Sequence, residues 1–293
     1  MKRRDYFSLI FLLTLLAVYS RLIYEDAAII RPQPYESYRA GEYYALKAEE
    51  GWETANQSIY LFEEVRYRKN GIDVTYPHFT KGASEEAMTH WNQIIDQDIR
   101  EIMEIYSFTP FPSPPPVPSS PEQKENLPGT GDTAPVYLRL TYEIKAADHS
   151  YFSVFYKVDF NPGFVAHPTE LAYTTNISLT DSRRIGINDL VKTDEAFVKE
   201  FRQWEMISYE PENEELNLAI RDYFRGLSDS ELLLGFQNAD IIGAGNYLGI
   251  YSYLTPGRLG ISIGAPNYLG DHVEFEKSFS ELTEFLLPGT GLN

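Results

Sequence analysis

Residues 58–68, SIYLFEEVRYR, alternate apolar and polar side chains, and residues 71–79, GIDVTYPHF, do so again behind an Asn70-Gly71 pair. A period of two is the signature of a half-buried strand, and Asn-Gly supplies the positive φ angles of a two-residue hairpin turn. Pro77 has no N–H to give to a ladder, so it is expected near a strand end or edge. From Ser84 the period changes. Ala87, Trp91, Ile94, Ile95, Ile99, Ile102, Met103 and Tyr106 recur at helical spacing, with acids and amides opposite them. Ser84 is placed to cap this helix, and Glu85 and Glu86 suit the positive end of its dipole.

The pattern stops between residues 107 and 135, a stretch that holds half of the chain's 18 prolines. It can sustain neither a helix nor a ladder and is expected to be an inserted polyproline-like or disordered loop acting as a spacer. Alternation resumes in VYLRLTYEIKA (136–146) and YFSVFYKVDF (151–160), with ADHS turning between them, and LAYTTNISL (171–179) is a third strand. DSRRIGINDLV is a turn and short connector. Helices are expected from Asp194 to about Tyr209, from Asn213 to Phe224 and over SDSELLLGF (228–236), with Pro211 separating the first two. Residues 246–264 form a hairpin turned by Pro256-Gly257, and HVEFEKSF (272–279) is a last strand before a terminal helical turn. Hairpins interspersed with separated helices predict an α+β fold: a largely antiparallel sheet packed with amphipathic helices around one aromatic-rich interior.

The N-terminus stands apart. Lys2, Arg3 and Arg4 precede an apolar run from Tyr6 to Tyr19 that is broken only by Ser8 and Thr14. At about 1.5 Å per residue this run falls short of a bilayer core of about 30 Å. That length fits the apolar segment of a secretory signal, with Val18 and Ser20 before a cleavage point. The alternative is an uncleaved anchor reaching Tyr24. Either way the basic flank places the rest outside the cytoplasmic membrane. The organisation expected is a signal or anchor at 1–24, a tyrosine-dotted tether at 25–57, and one domain at 58–287 carrying the proline-rich loop.

Composition narrows the function. A net charge of −18 repels nucleic-acid phosphates and favours encounter with a basic protein. The chain has no cysteine, which removes disulfides, thiolate nucleophiles and zinc–thiolate sites. LPGTG occurs at 127 and again at 287. Neither copy is followed by the apolar tail and basic residues of a sorting signal, so both are taken as turns. GAGNYLG at 243 leads into a strand, so it lacks the helix dipole of a phosphate loop. Asp148, His149 and Ser150 are adjacent, which is the wrong arrangement for a triad that works by convergence in space. The five histidines, His78, His90, His149, His167 and His272, are scattered. No catalytic residue, metal site or cofactor is expected.

The order of the segments resembles an extracytoplasmic domain of unknown function shared by the lysozyme-sensing anti-sigma factor RsiV and the peptidoglycan deacetylase PdaC. Tyr76-Pro77 before a helix bearing Asn92, Ser153-Val154, GFVAHP, Asn176, GINDLV and YSYLTPGRLGISIG carry the likeness over residues 58–285. The family turn has two glycines before Ala-His, whereas Phe164 and Val165 follow Gly163 here. The resemblance implies an exported binding or sensing module, with Gly163, His167, Pro168 and Asn176 as candidate ligand-binding residues. Its implied partners are lysozyme or another wall-active basic protein, or peptidoglycan. An enzyme acting on wall glycan through unassigned acids, and a structural envelope protein, are the alternatives. His167 is expected to mark a turn at the rim of the sheet.

Overall fold

The computed structural model describes residues 60–69, 71–107, 136–163, 168–207 and 213–292. The signal or anchor segment, the tether, nearly all of the proline-rich loop and His167 lie outside them. The described residues form an α+β fold with two sheets, a six-stranded one in the order β1-β2-β3-β4-β5-β6 and a four-stranded one in the order β7-β10-β9-β8.

The first sheet opens with the expected hairpin, β1 (Leu61–Lys69) and β2 (Ile72–Lys81). Lys69 pairs with Ile72, and Gly71 takes φ +82° in the turn between them. Helix α1 (Glu85–Ser107) follows, and the Ser84 hydroxyl accepts from the Ala87 N–H at 3.2 Å, as the cap expects. The helix returns the chain for β3 (Tyr137–Ala147) to run parallel to β2, a pairing that requires a crossover. That pairing spans only Ile72–Val74 against Leu138–Leu140, after which β2 and β3 separate. Pro77 therefore sits in mid-strand, neither at an end nor on an edge strand. The Phe79 N–H points away from β1 to the Asn92 side chain, so by alternation the missing N–H of Pro77 also lies on the side β3 has vacated. Asn92 accepts from Phe79 N at 2.8 Å and donates to Phe79 O at 3.1 Å, filling the gap with an amide in place of a strand.

β3, β4 (Tyr151–Asn161), β5 (Thr169–Ser178) and β6 (Arg183–Ile185) then run antiparallel. One face of β4, Phe152, Val154, Tyr156 and Val158, packs with Trp91, Ile95, Ile99 and Ile102 of α1 as one core. Short helix α2 (Ile187–Leu190) leads to α3 (Glu195–Phe201). The helix expected to reach Tyr209 ends at Phe201. Trp204 folds back against Phe197 and Phe201, at ring-centroid distances of 5.8 and 5.5 Å, and the chain becomes edge strand β7 (Glu205–Ile207). Helices α4 (Glu214–Gly226) and α5 (Asp229–Gln237) carry side-chain caps from Asn213 and Ser228. Strands β8 (Tyr251–Thr255), β9 (Arg258–Gly264) and β10 (His272–Ser278) complete the second sheet. Leu259, Ile261, Ile263, Val273 and Phe275 join the helices in a second core.

The expectation of one interior is therefore corrected. One core lies mainly between α1 and the first sheet and the other mainly between the second sheet and its helices. Across the junction between the sheets Tyr251 of β8 joins the first, Tyr151 and Ile185 join the second, and Phe155, Ala172 and Tyr253 form a small apolar cluster of their own. The C-terminal LPGTG is turn structure, as expected, with φ +85° at Gly289 and +69° at Gly291. It is held by Leu287 N donating to Leu190 O and by the Tyr151 hydroxyl donating to Thr290 O. Among the described residues no helix is long and apolar enough to cross a membrane.

Candidate functional site

Of the sequence-predicted site residues, His167 lies outside the described residues, and Asn176 stands apart from Gly163 and Pro168. Gly163 follows β4 at φ +84°, its N–H donating to Asn161 Oδ1 at 2.7 Å, and Pro168 is exposed before β5. Asn176 is eight residues along β5 from Pro168, about 26 Å at the usual strand rise, and it is buried. Its Oδ1 accepts from the Ser153 hydroxyl at 2.7 Å, and its Nδ2 donates to Ser252 O at 2.8 Å. The same Ser153 hydroxyl accepts from Leu254 N at 2.9 Å. Asn176 is thus a polar stitch between β5 of the first sheet and β8 of the second. It satisfies backbone groups that no ladder reaches, because these strands cross without pairing.

A second stitch lies beside it. The Asp98 carboxylate on α1 accepts from Thr175 Oγ1 at 2.6 Å and from Arg184 Nε at 2.8 Å. Arg184 also donates to the carbonyl of Asp240 at 3.0 Å. Asp240, at φ +64°, turns its carboxylate inward to accept from Ile187 N, Ser252 N and Ser252 Oγ. The close approach needs Gly186, where a Cβ would lie 2.8 Å from Asp240 Oδ2. Burial pushes both Asp98 and Asp240 above the ordinary carboxylate range, opposed by Arg184 and the hydrogen bonds.

Further along the junction, β10 turns His272, Glu274 and Glu276 toward the first sheet. The Tyr253 hydroxyl lies 3.0 Å from Glu274 Oε2 and 3.2 Å from Glu276 Oε1. It reaches them by lying across Gly260 of β9, where a Cβ would be 2.1 Å from the ring. Burial beside two carboxylates raises this phenol's pKa. Lys145 of β3 stands 3.9 Å from Glu274 and over the rings of Phe155 and Tyr253, at 5.2 and 5.3 Å. Arg258 Nε lies 2.9 Å from Glu276 Oε2, as an ion pair. His272 is 3.9 Å from Glu274 and packs its ring 6.0 Å from Phe155, and burial lowers its pKa. Sequence reasoning missed this layer. Alternation marks His272, Glu274 and Glu276 as one face of a strand, and an acidic face ordinarily meets water.

The other histidines are separate. His78 bonds Asp96 at 2.8 Å, His90 donates to Ser182 O at 2.8 Å, and His149 is exposed in the β3–β4 turn. Among the described residues no three His, Asp or Glu side chains are grouped to hold a metal ion. An open cavity of about 660 Å³ lies over the first turns of α1, lined by Glu85, Glu86, Thr89, His90 and Gln93. Among the described residues neither Glu85 nor Glu86 forms an ion pair, and both are exposed. The first turn of α1 positions them, where the dipole stabilises negative charge.

No family profile and no curated protein sequence matches the chain. Among solved structures it is similar to a member of the DUF3298 family from Bacteroides fragilis, at 10% identity and a TM-score of 0.46, over 81% of this chain and 98% of that one. It is similar also to a DUF3298 family protein from Pseudomonas aeruginosa PAO1, at 13% identity and a TM-score of 0.43, over 80% of this chain and 95% of that one.

Proposed function

We propose that the chain is an exported, non-catalytic binding module of the cell envelope that captures a basic protein through the acidic face at the start of α1. The observation that carries this reading is the cavity there, whose two exposed glutamates are left without a cationic partner among the described residues. A lysine or arginine side chain of a partner supplies the missing charge, and the net charge of −18 steers such a protein toward the surface. Lysozyme is the probe suggested by the segment order, together with the expected export of the body.

The competing reading, hydrolysis of wall glycan by an acid pair, has Glu274 and Glu276 as its best candidates. Their oxygens meet at one phenol, so the Tyr253 hydroxyl fills the space where a sugar oxygen would have to enter. Neither residue lines the cavity on α1.

Surface-plasmon measurements of lysozyme on the immobilised protein test the proposal. Binding is expected at low salt, weakening as salt rises through the range where the Debye length falls below about 10 Å. Glu85→Gln with Glu86→Gln is expected to abolish it while lowering stability by only about 0.3–1 kcal/mol per lost charge at the helix N-terminus. Binding that is absent at every salt concentration removes lysozyme as the partner. Binding unchanged in the double variant removes the α1 face as the site.

A further inference from the structure

The junction between the two sheets is unusual in its chemistry. Two larger apolar cores lie mainly outside it, while the surfaces that meet within it carry His272, Glu274, Glu276, Lys145, Tyr253, Ser153 and Asn176. Apolar burial drives each core separately. Hydrogen bonds and charge hold the seam, and these contribute less net free energy per group than the packing on either side. A structure divided in this way opens at its weakest plane before either core unfolds.

We infer that this seam is a pH-responsive joint, opened by protonation of His272 while the two cores stay folded. The imidazole is 3% exposed and stands between the sheets. From its own strand and turn it faces Glu274 and Asp271. From the first sheet it faces Glu170 of β5 and the Phe155 ring and Lys157 of β4. Lys145 of β3, Tyr253 of β8 and Glu276 of β10 face it through their contacts with Glu274. Glu274, Glu170 and Asp271 favour an imidazolium, Lys157 opposes it, and desolvation in the closed seam outweighs the acids.

The linkage has one direction. His272 holds its proton less tightly closed than open, so the open form takes up the proton first. The seam is fully stable above the ordinary histidine value of about 6.5 and loosens as pH falls below it, by up to about tenfold in the open population per pH unit. The interval from about pH 7.5 to 5.5 brackets the ordinary histidine value, and His272→Phe reports whether the histidine carries the change.

The absence of native cysteine makes the test direct. Ser262 on β9 is fully buried on the seam face, beside Glu274 in register, and its hydroxyl has no hydrogen-bond partner among the described residues. Ser262→Cys therefore places a single thiol in the seam. Val198→Cys places one in the apolar core behind it. Labelling of each full-length variant by a disulfide reagent, divided by the rate for the same chain denatured at the same pH, gives the open population free of thiol ionisation. Protection of the Ser262→Cys thiol is expected to fall by up to about fivefold between pH 6.5 and 5.5, with that of Val198→Cys unchanged. His272→Phe is expected to remove the fall. If that variant does not fold, Glu274→Gln is the check. It takes away a carboxylate that steadies the imidazolium, so the fall at pH 5.5 should exceed that of the parent. The inference is overturned by any of four results: protection of the seam thiol that is constant over this range, loss in step with the core thiol, the same loss in His272→Phe, or a fall in Glu274→Gln no larger than the parent's.

Discussion

Gly260→Ala isolates the packing that builds the seam. The added Cβ would lie 2.1 Å from Tyr253 Cζ and 2.2 Å from Cε2, where real contacts are near 3.6 Å or longer, so the ring must move by about 1.5 Å. The ring has no room to yield, since Tyr253 is completely buried and packs edge-on to Phe155 at 5.6 Å. Overpacking of this kind costs about 1–3 kcal/mol. Displacing the phenol from Glu274 and Glu276 adds about 1–3 kcal/mol, because buried carboxylates lose their donor. A total of about 2–6 kcal/mol is a large share of a typical domain stability of about 5–15 kcal/mol. The assay is urea unfolding of Gly260→Ala, Tyr253→Ala and the double variant, followed by tryptophan emission and near-ultraviolet circular dichroism. Removing the ring removes the clash, so Gly260→Ala should cost little in the Tyr253→Ala background, with a coupling energy of about 2–3 kcal/mol. Tyr253→Phe keeps the clash and loses only the hydroxyl, so in that background the steric part should persist. A cost below about 0.5 kcal/mol for Gly260→Ala, or an equal cost with and without the ring, refutes the packing account.

Three further outcomes are expected. Asn176→Ala orphans the Ser153 hydroxyl and the Ser252 carbonyl and should destabilise the protein by about 2–4 kcal/mol in thermal or urea unfolding, with Ser153→Ala in the same background costing less than it does alone. Arg184→Met leaves buried Asp98 without its cation and should cost about 3–5 kcal/mol, most of it recovered when Asp98→Leu is added, as differential scanning calorimetry of the two variants would show. Arg66 and then Arg68 hold the Asp73 carboxyl near pKa 2, so it contributes stability above its unfolded value of 3.8 and loses that contribution as pH falls through about 2. Asp73→Asn should therefore melt lower than the parent at pH 7 by about 1 kcal/mol of stability, a difference that closes as melts are taken down toward pH 2.

Most of the elements were legible in the chain because their causes are local. The β1–β2 hairpin follows from alternation around Asn70-Gly71. Helix α1 follows from its apolar stripe and the Ser84 cap, and the β8–β9 hairpin from Pro256-Gly257. The end of α3 was not legible, since residues 202–207 carry no breaker. Trp204 turns back because Phe197 and Phe201 offer it a surface, and Glu205–Ile207 becomes a strand because β10 presents an open edge. Pro77 has the same lesson in reverse: it is tolerated in mid-strand because β3 departs and Asn92 takes its place.

By itself the sequence determined the α+β class, the order of the elements, an acidic surface and a chain without thiol chemistry, because each depends on residues within a few positions of one another or on a simple sum of charge. Only the tertiary structure decided that there are two cores, that Asn176 is a stitch and not a neighbour of Gly163 and Pro168, and that the polar face of β10 meets another sheet. Those outcomes turn on which face of one strand opposes which face of another. Alternation states that a strand has two unlike faces, but only the crossing of the sheets determines whether the polar face is covered by water or by Lys145, Tyr253 and Phe155.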